Sequence, residues 1–117
     1  MRASSAIVEA ARRFDAQQFW EAHESLEAVW RAQSPPERAW TQGIIQVCAA
    51  LVHCQRDHRE PARTLFDAAL AKLADAPREH LGLDVAALIA VTADWRAWSE
   101  GGHRPDAWPR WPHVNGH

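Results

Sequence analysis

Between Phe19 and Trp30 the chain reads Phe-Trp-Glu-Ala-His-Glu-Ser-Leu-Glu-Ala-Val-Trp, and two of these residues stand where a helix of this pattern should be apolar. At about 100° per residue, Phe19, Ala22, Leu26, Val29 and Trp30 form one apolar arc, which Trp20 extends. His23 and Glu27 fall inside that arc, one helical turn apart, so their side chains are within mutual reach. Glu24 and Arg31 mark its border, and Glu21, Ser25 and Ala28 occupy the opposite face. A histidine and a carboxylate buried between Trp20 and Trp30 require partners, because an unpaired polar group in an apolar setting is costly.

A second polar set lies about twenty residues on. Gln42, Gln46 and His53 fall within about 40° of one another on a helical wheel, beside Ala39, Gly43, Ala49 and Ala50, whose small side chains allow another helix to come close. Three chemistries fit the combined set. Glu27 can orient His23 and raise its basicity for metal-free acid/base work at the floor of a pocket walled by Trp20 and Trp30. His23, Glu27 and His53, completed by Glu24 or Gln46, make a His/His/carboxylate donor set suited to zinc or another divalent metal. The spacing is not that of a zincin helix, however, and a di-iron bundle needs more inward carboxylates. The third possibility is an interhelical hydrogen-bond network that only fixes which helix faces meet. No nucleophile is marked: Ser25 is on the wrong face, and Cys48 and Cys54 have no activating neighbour in sequence. The leading reading is a buried His/Glu/Gln site for a small ligand or a divalent metal. A packing-only or protein-interaction module and a hydrolase-type enzyme are the alternatives.

Five helices are expected to position these residues. Ser4 or Ser5 can cap a first helix reaching about Phe14, and Asp15–Gln18 breaks the chain before the helix of Trp20 and Trp30. Pro35 and Pro36 end that helix, with Ser34 and Glu37 at capping-box spacing for the next. The third helix, about Pro36 to Arg56, is apolar nearly all round and belongs at the centre of the domain. A short connection makes it the antiparallel neighbour of the second. Asp57 and Glu60 suggest a cap for a fourth helix reaching about Ala74. Asp84 suggests a cap for a fifth, with Leu88, Val91, Trp95 and Trp98 on its inner face and Gly101-Gly102 at its end. The result is an all-α domain over residues 1–102, built on a central antiparallel helix hairpin. Residues 103–117 form an extended tail in which Trp108 and Trp111 alternate with prolines, and these indoles should cover the domain's own surface or a homo-oligomer seam. A loose echo links Ala22, Leu26 and Trp30 to Ala62, Phe66 and Leu70.

With 117 residues, a formal charge of -2, seven tryptophans and no tyrosine, the chain is one globular domain. It lacks the basic footprint of a nucleic-acid binder. Two cysteines six residues apart on one helix do not bridge and suit a reducing compartment. No apolar run matches a signal peptide or a membrane span, so the cytoplasm is expected.

Phe14-Asp15, then Phe19 through Glu24, Leu26-Glu27 and Trp30-Arg31, followed by Trp40, Gln42-Gly43, Ile45-Gln46, Ala49-Ala50-Leu51 and His53, together resemble the family called domain of unknown function 309. The resemblance covers roughly residues 8 to 75. It implies a small, all-helical prokaryotic protein and no established activity. The family's motif includes the positions of His23, Glu24, Glu27, Gln46 and His53. Members often enter the second helix through a glycine, where this chain has Gln17-Gln18.

Overall fold

The fold was obtained as a computed structural model, which describes the backbone of residues 2–114 and the side chains of residues 5–114. It contains five helices: α1 (Arg2–Asp15), α2 (Phe19–Arg31), α3 (Glu37–Gln55), α4 (Arg59–Leu73) and α5 (Val85–Ser99). A two-stranded hairpin, β1 (Glu79–His80) and β2 (Leu83–Asp84), separates the last two. The all-α expectation holds, and the helices pack in chain order: α1 on α2, α2 on α3, α3 on α4 and α4 on α5. α3 is the central rod, with Ile44, Ile45, Val47, Cys48, Ala50, Leu51, Val52 and Cys54 all buried. Gly43 lets α4 approach it, since a Cβ there would lie 3.0 Å from Leu73 Cγ and 3.3 Å from the Ala69 carbonyl.

The turns between helices depart from the expected caps. α1 starts at Arg2, so Ser5 lies within it; the side chain of Ser4 is outside the described residues. α3 is preceded by Pro36, with no side-chain cap from Ser34, and the Pro35-Pro36 peptide is cis. Asp57 does not cap α4. It lies at φ 59°, in the left-handed conformation that closes α3, with His58 N–H donating to the His53 carbonyl at 2.8 Å. The first turn repeats this geometry 40 residues earlier, where Gln17 has φ 64° and Gln18 N–H donates to the Arg13 carbonyl at 2.8 Å. Both turns satisfy a terminal carbonyl as a glycine-type C-cap would, so Gln17 and Asp57 each do the work of a C-cap glycine. Asp84 caps α5 as expected, accepting from the Ala87 amide at 3.1 Å.

Residues 103–112 form neither helix nor strand and bend at Asp106 and Ala107, and the tail's tryptophans close the fold. Trp111 is buried edge-on to Phe14, with ring centroids 5.9 Å apart. Trp108 stacks on Trp95 at 4.6 Å and touches Phe19. Its backbone is tied down as well. Trp111 N–H donates to Asp15 at 2.6 Å, Asp84 N–H donates to the Pro112 carbonyl, and Leu83 bridges to His113. The strap thus joins the α1–α2 end to α5, and Trp95 and Trp98 lie in the core as their spacing predicts.

Candidate functional site

Two contacts fix the register of α2 against α3. At one end Gln55 Nε2 donates to the Gln17 carbonyl at 2.9 Å; at the other Arg38 Nε donates to the Trp30 carbonyl at 3.4 Å. The helices are therefore antiparallel. With a rise of about 1.5 Å per residue, Gln46 stands near the level of His23, Gln42 near that of Glu27, and His53 lies further along, beside the start of α2.

On α2, His23 Nε2 is 3.4 Å from Glu27 Oε2, and Glu27 Oε1 is 3.7 Å from Arg31 Nη2. The histidine side chain is 15% exposed and the glutamate 35%. The pair is thus half-buried, where the sequence pattern suggests full burial. Trp20 stacks on the His23 ring, centroids 4.8 Å apart at 20°, yet it is itself 52% exposed. Trp30 carries the Arg38 guanidinium 3.8 Å above its ring. The expected pocket walled by two indoles is not formed, because one faces outward and the other is covered by the chain's own arginine. Glu24 is exposed beside them, and Ser25, expected on the solvated face, is half-buried.

On α3, Gln42, Gln46, Ala49 and His53 are half-buried while the rest of the helix from Thr41 to Cys54 is buried. The polar row therefore lies along an open border of the helix and not inside a sealed seam. Three atoms along the two rows are buried without a hydrogen-bond partner: His23 Nδ1, Gln46 Oε1 and His53 Nδ1. The His53 ring lies 5.7 Å from His58. Its pKa is lowered by burial first, then by the neighbouring His58 and Arg56 charges. Among the described residues no three His, Cys, Asp or Glu side chains are grouped closely enough to hold a metal ion. The expected His23/Glu27/His53 donor set is not gathered, because the register displaces His53 along α3. Cys48 and Cys54 are free and buried, and burial pushes both thiols up to about 12, far from a reactive thiolate.

Two surface clefts lie elsewhere. One of about 360 Å³ is lined by Asp94, Ala97, His103, Pro105 and Asp106, and one of about 420 Å³ by Arg59, Glu60, Arg63, Ser99 and Glu100. A further polar contact had no signal in the sequence pattern. His80, buried on β1, is 2.8 Å from Thr41 Oγ1, with Trp40 edge-on at 5.4 Å. Burial lowers the His80 pKa, and Glu37 opposes that shift. The contact depends on a hairpin whose loop residues, Leu81 at φ 58° and Gly82 at φ 74°, both take the positive φ of a type I′ turn. A leucine gives no warning of that conformation.

The family described as Domain of unknown function (DUF309) matches residues 7–65, just over half of the chain. The protein belongs to this family. The DUF309 span includes α2 and α3 whole and the beginning of α4, so Trp20, His23, Glu24, Glu27, Trp30, Gln42, Gln46 and His53 all lie within it. The β hairpin, α5 and the tail lie beyond it. No curated protein matches the chain. No helix among the described residues is long and apolar enough to cross a membrane.

Proposed function

We propose that the α2–α3 border of this DUF309 protein binds a small polar ligand, with His23 at the centre of the site. The observation that carries this reading is the pair of buried, unpartnered atoms at one level of two facing helices, His23 Nδ1 and Gln46 Oε1. Leaving a buried polar atom unsatisfied costs about 1–3 kcal/mol. A network serving packing alone would pair its members.

The molecule supplies its own control. Forty residues on from His23 and Glu27 stand Arg63 and Asp67, on the same face of α4. There the neighbouring helix answers with opposite charge. Arg96 of α5 pairs with Asp67 and, at 2.8 Å, with Glu100, while Arg63 reaches Glu100 at 3.8 Å. The corresponding border of α2 meets uncharged Gln42 and Gln46 and is left with unmatched acceptors. In the tautomer with its proton on Nε2, the nitrogen nearer Glu27, His23 would present Nδ1 as a bare acceptor. Together with Gln46 Oε1 it suits a ligand that brings hydrogen-bond donors.

A thermal-shift screen of small polar compounds tests the site. A ligand at 100 times its Kd stabilises by about 2.7 kcal/mol, which for a domain of this size raises the Tm by roughly 10 °C. The shift should vanish in His23→Leu and persist in Arg96→Leu, which alters only the α4–α5 border. Hits that ignore His23→Leu, or an NMR titration in which no compound moves the His23 ring resonances, would refute the proposal.

A further inference from the structure

Away from the α2–α3 border, a buried histidine holds the β hairpin against the core. His80 on β1 is 7% exposed, and its Nε2 lies 2.8 Å from Oγ1 of Thr41, which is fully buried near the start of α3. While the ring is neutral, either group can donate to the other. A protonated ring would bring a charge to a hydroxyl that has none, beside the Trp40 indole 5.4 Å away, and burying a charge without a counter-ion is costly. The surroundings compensate little. The segment entering β1 carries Asp75, Arg78 and Glu79, all exposed. Asp84 on β2 is engaged with the Ala87 amide, His113 of the tail is exposed, and Val85 to Thr92 of α5 are uncharged. On α3, Arg38 is held on Trp30. Of all these groups, the Glu37 carboxylate is the one whose charge acts on the ring, and it opposes the larger effect of burial.

What His80 holds down is small. β1 pairs with β2 through Glu79 and His80, and its turn contains Leu81 at φ 58°, a conformation that costs a residue with a side chain about 1–3 kcal/mol. Val85 N–H donates to the Arg78 carbonyl at 2.8 Å, and Val114 N–H donates to the Gly82 carbonyl at 3.1 Å. Leu83, by contrast, is fully buried, and Asp84 is fixed through its amide to Pro112 and through its side chain to α5. We propose that His80 is an acid-sensitive latch: while its ring is neutral, β1 and the Leu81–Gly82 turn are locked onto Thr41, and when it takes up a proton they swing away and release Val114, leaving Leu83, Asp84 and the five helices in place. Once freed, the imidazolium is hydrated, and the Thr41 hydroxyl can turn to the Glu37 carbonyl one turn back in its own helix. The open form binds the proton more tightly than the closed form, so acid favours opening.

Amide hydrogen exchange of the full-length protein, read by NMR as protection factors at about pH 7 and pH 5 on either side of the ordinary histidine value, tests the latch. Protection of the Val85 and Val114 amides should be about fivefold or more lower in acid. Protection of the Asp84 amide and of the central turns of α2 and α3 should change less than about twofold, since they stay closed in a local opening. In Glu37→Gln, at an exposed position, the fall should deepen because the opposing carboxylate is gone. In His80→Gln it should vanish, and in His53→Gln, which removes the other histidine of lowered pKa, it should be unchanged. If Val85 and Val114 lose protection in step with the helices, the opening is global unfolding and the latch is overturned. A flat profile in the unmodified protein, or a fall that survives His80→Gln, overturns it as well. Should His80→Gln not fold, the profile of the unmodified protein and that of Glu37→Gln still decide.

Discussion

Trp111→Ala should unfold this protein at markedly lower denaturant, although Trp111 lies in a segment of prolines and arginines without regular structure. The indole is 4% exposed and meets Phe14 edge-on at 5.9 Å and 82°. A tryptophan buries about 150–250 Å², which at about 25 cal/mol per Å² corresponds to roughly 4–6 kcal/mol. The alanine retains part of that, and Trp→Ala changes in cores cost about 3–5 kcal/mol. The backbone bond from residue 111 to Asp15 survives the substitution, so the loss reports the side chain. Against a total stability of about 5–15 kcal/mol, the loss is large. Urea unfolding at neutral pH, followed by far-UV circular dichroism so that the lost fluorophore does not interfere, should show the midpoint falling by roughly 1–5 M for an m-value of about 1–3 kcal/mol per M. A loss below about 1 kcal/mol would mean that the strap lies on a fold already closed without it, and would refute the view that the tail joins α5 to the α1–α2 end.

Other consequences are smaller. His23→Ala should cost no more than about 1 kcal/mol, because Glu27 keeps Arg31 and partial exposure, and exposed ion pairs contribute little; a loss above 3 kcal/mol in the same urea assay would show the pair to be a packing element. Asp84→Ala should cost about 1 kcal/mol through the lost cap of α5, and an unchanged Tm would contradict the Ala87–Asp84 bond. Gly43→Ala should destabilise by about 1–3 kcal/mol through overpacking against Leu73 and the Ala69 carbonyl; a more stable variant would show that α4 yields. His53 and His80 both have folded pKa values below the ordinary histidine value, so the unfolded chain binds protons first as pH falls. Stability should be full above about pH 6.5 and decline as pH drops through the lowered values. His80→Gln should reduce that decline, and an identical pH profile in the variant would refute the assignment.

Much of this architecture was legible in the chain because it follows from periodicity. The uniformly apolar α3 is central, the inner faces of α2, α4 and α5 carry their apolar residues at helical spacing, and Asp84 caps α5. Legibility failed where local signals compete. Asp57 followed by Glu60 has the spacing of a capping box, yet Asp57 ends α3 instead, because asparagine-like residues also tolerate the left-handed conformation. Leu81 carries no turn signal, so neither the hairpin nor the buried His80–Thr41 contact could be anticipated.

The site shows the same competition at a finer scale. A helical wheel reports direction, not depth. It placed His23 and Glu27 within the apolar arc, but exposure depends on how closely α3 approaches that edge of α2. The residues facing it from α3, Gln42, Gln46, Ala49 and His53, are themselves only half-buried, so the border stays open and Trp20 turns its free face outward. On the corresponding border of α4, charges from α5 pair with Arg63 and Asp67 instead. The difference between the two borders therefore lies in what α3 presents to α2 and α5 to α4, and a wheel drawn for α2 alone contains no trace of it. Converting Gln46 to Arg should add a positive charge on the α3 side of this border, at the level of His23 and one turn from Glu27. If the α2–α3 border differs from its counterpart only in this way, Gln46→Arg should leave the Tm unchanged or raise it while abolishing ligand-induced shifts at His23; a large loss of stability would show that the two borders are not equivalent.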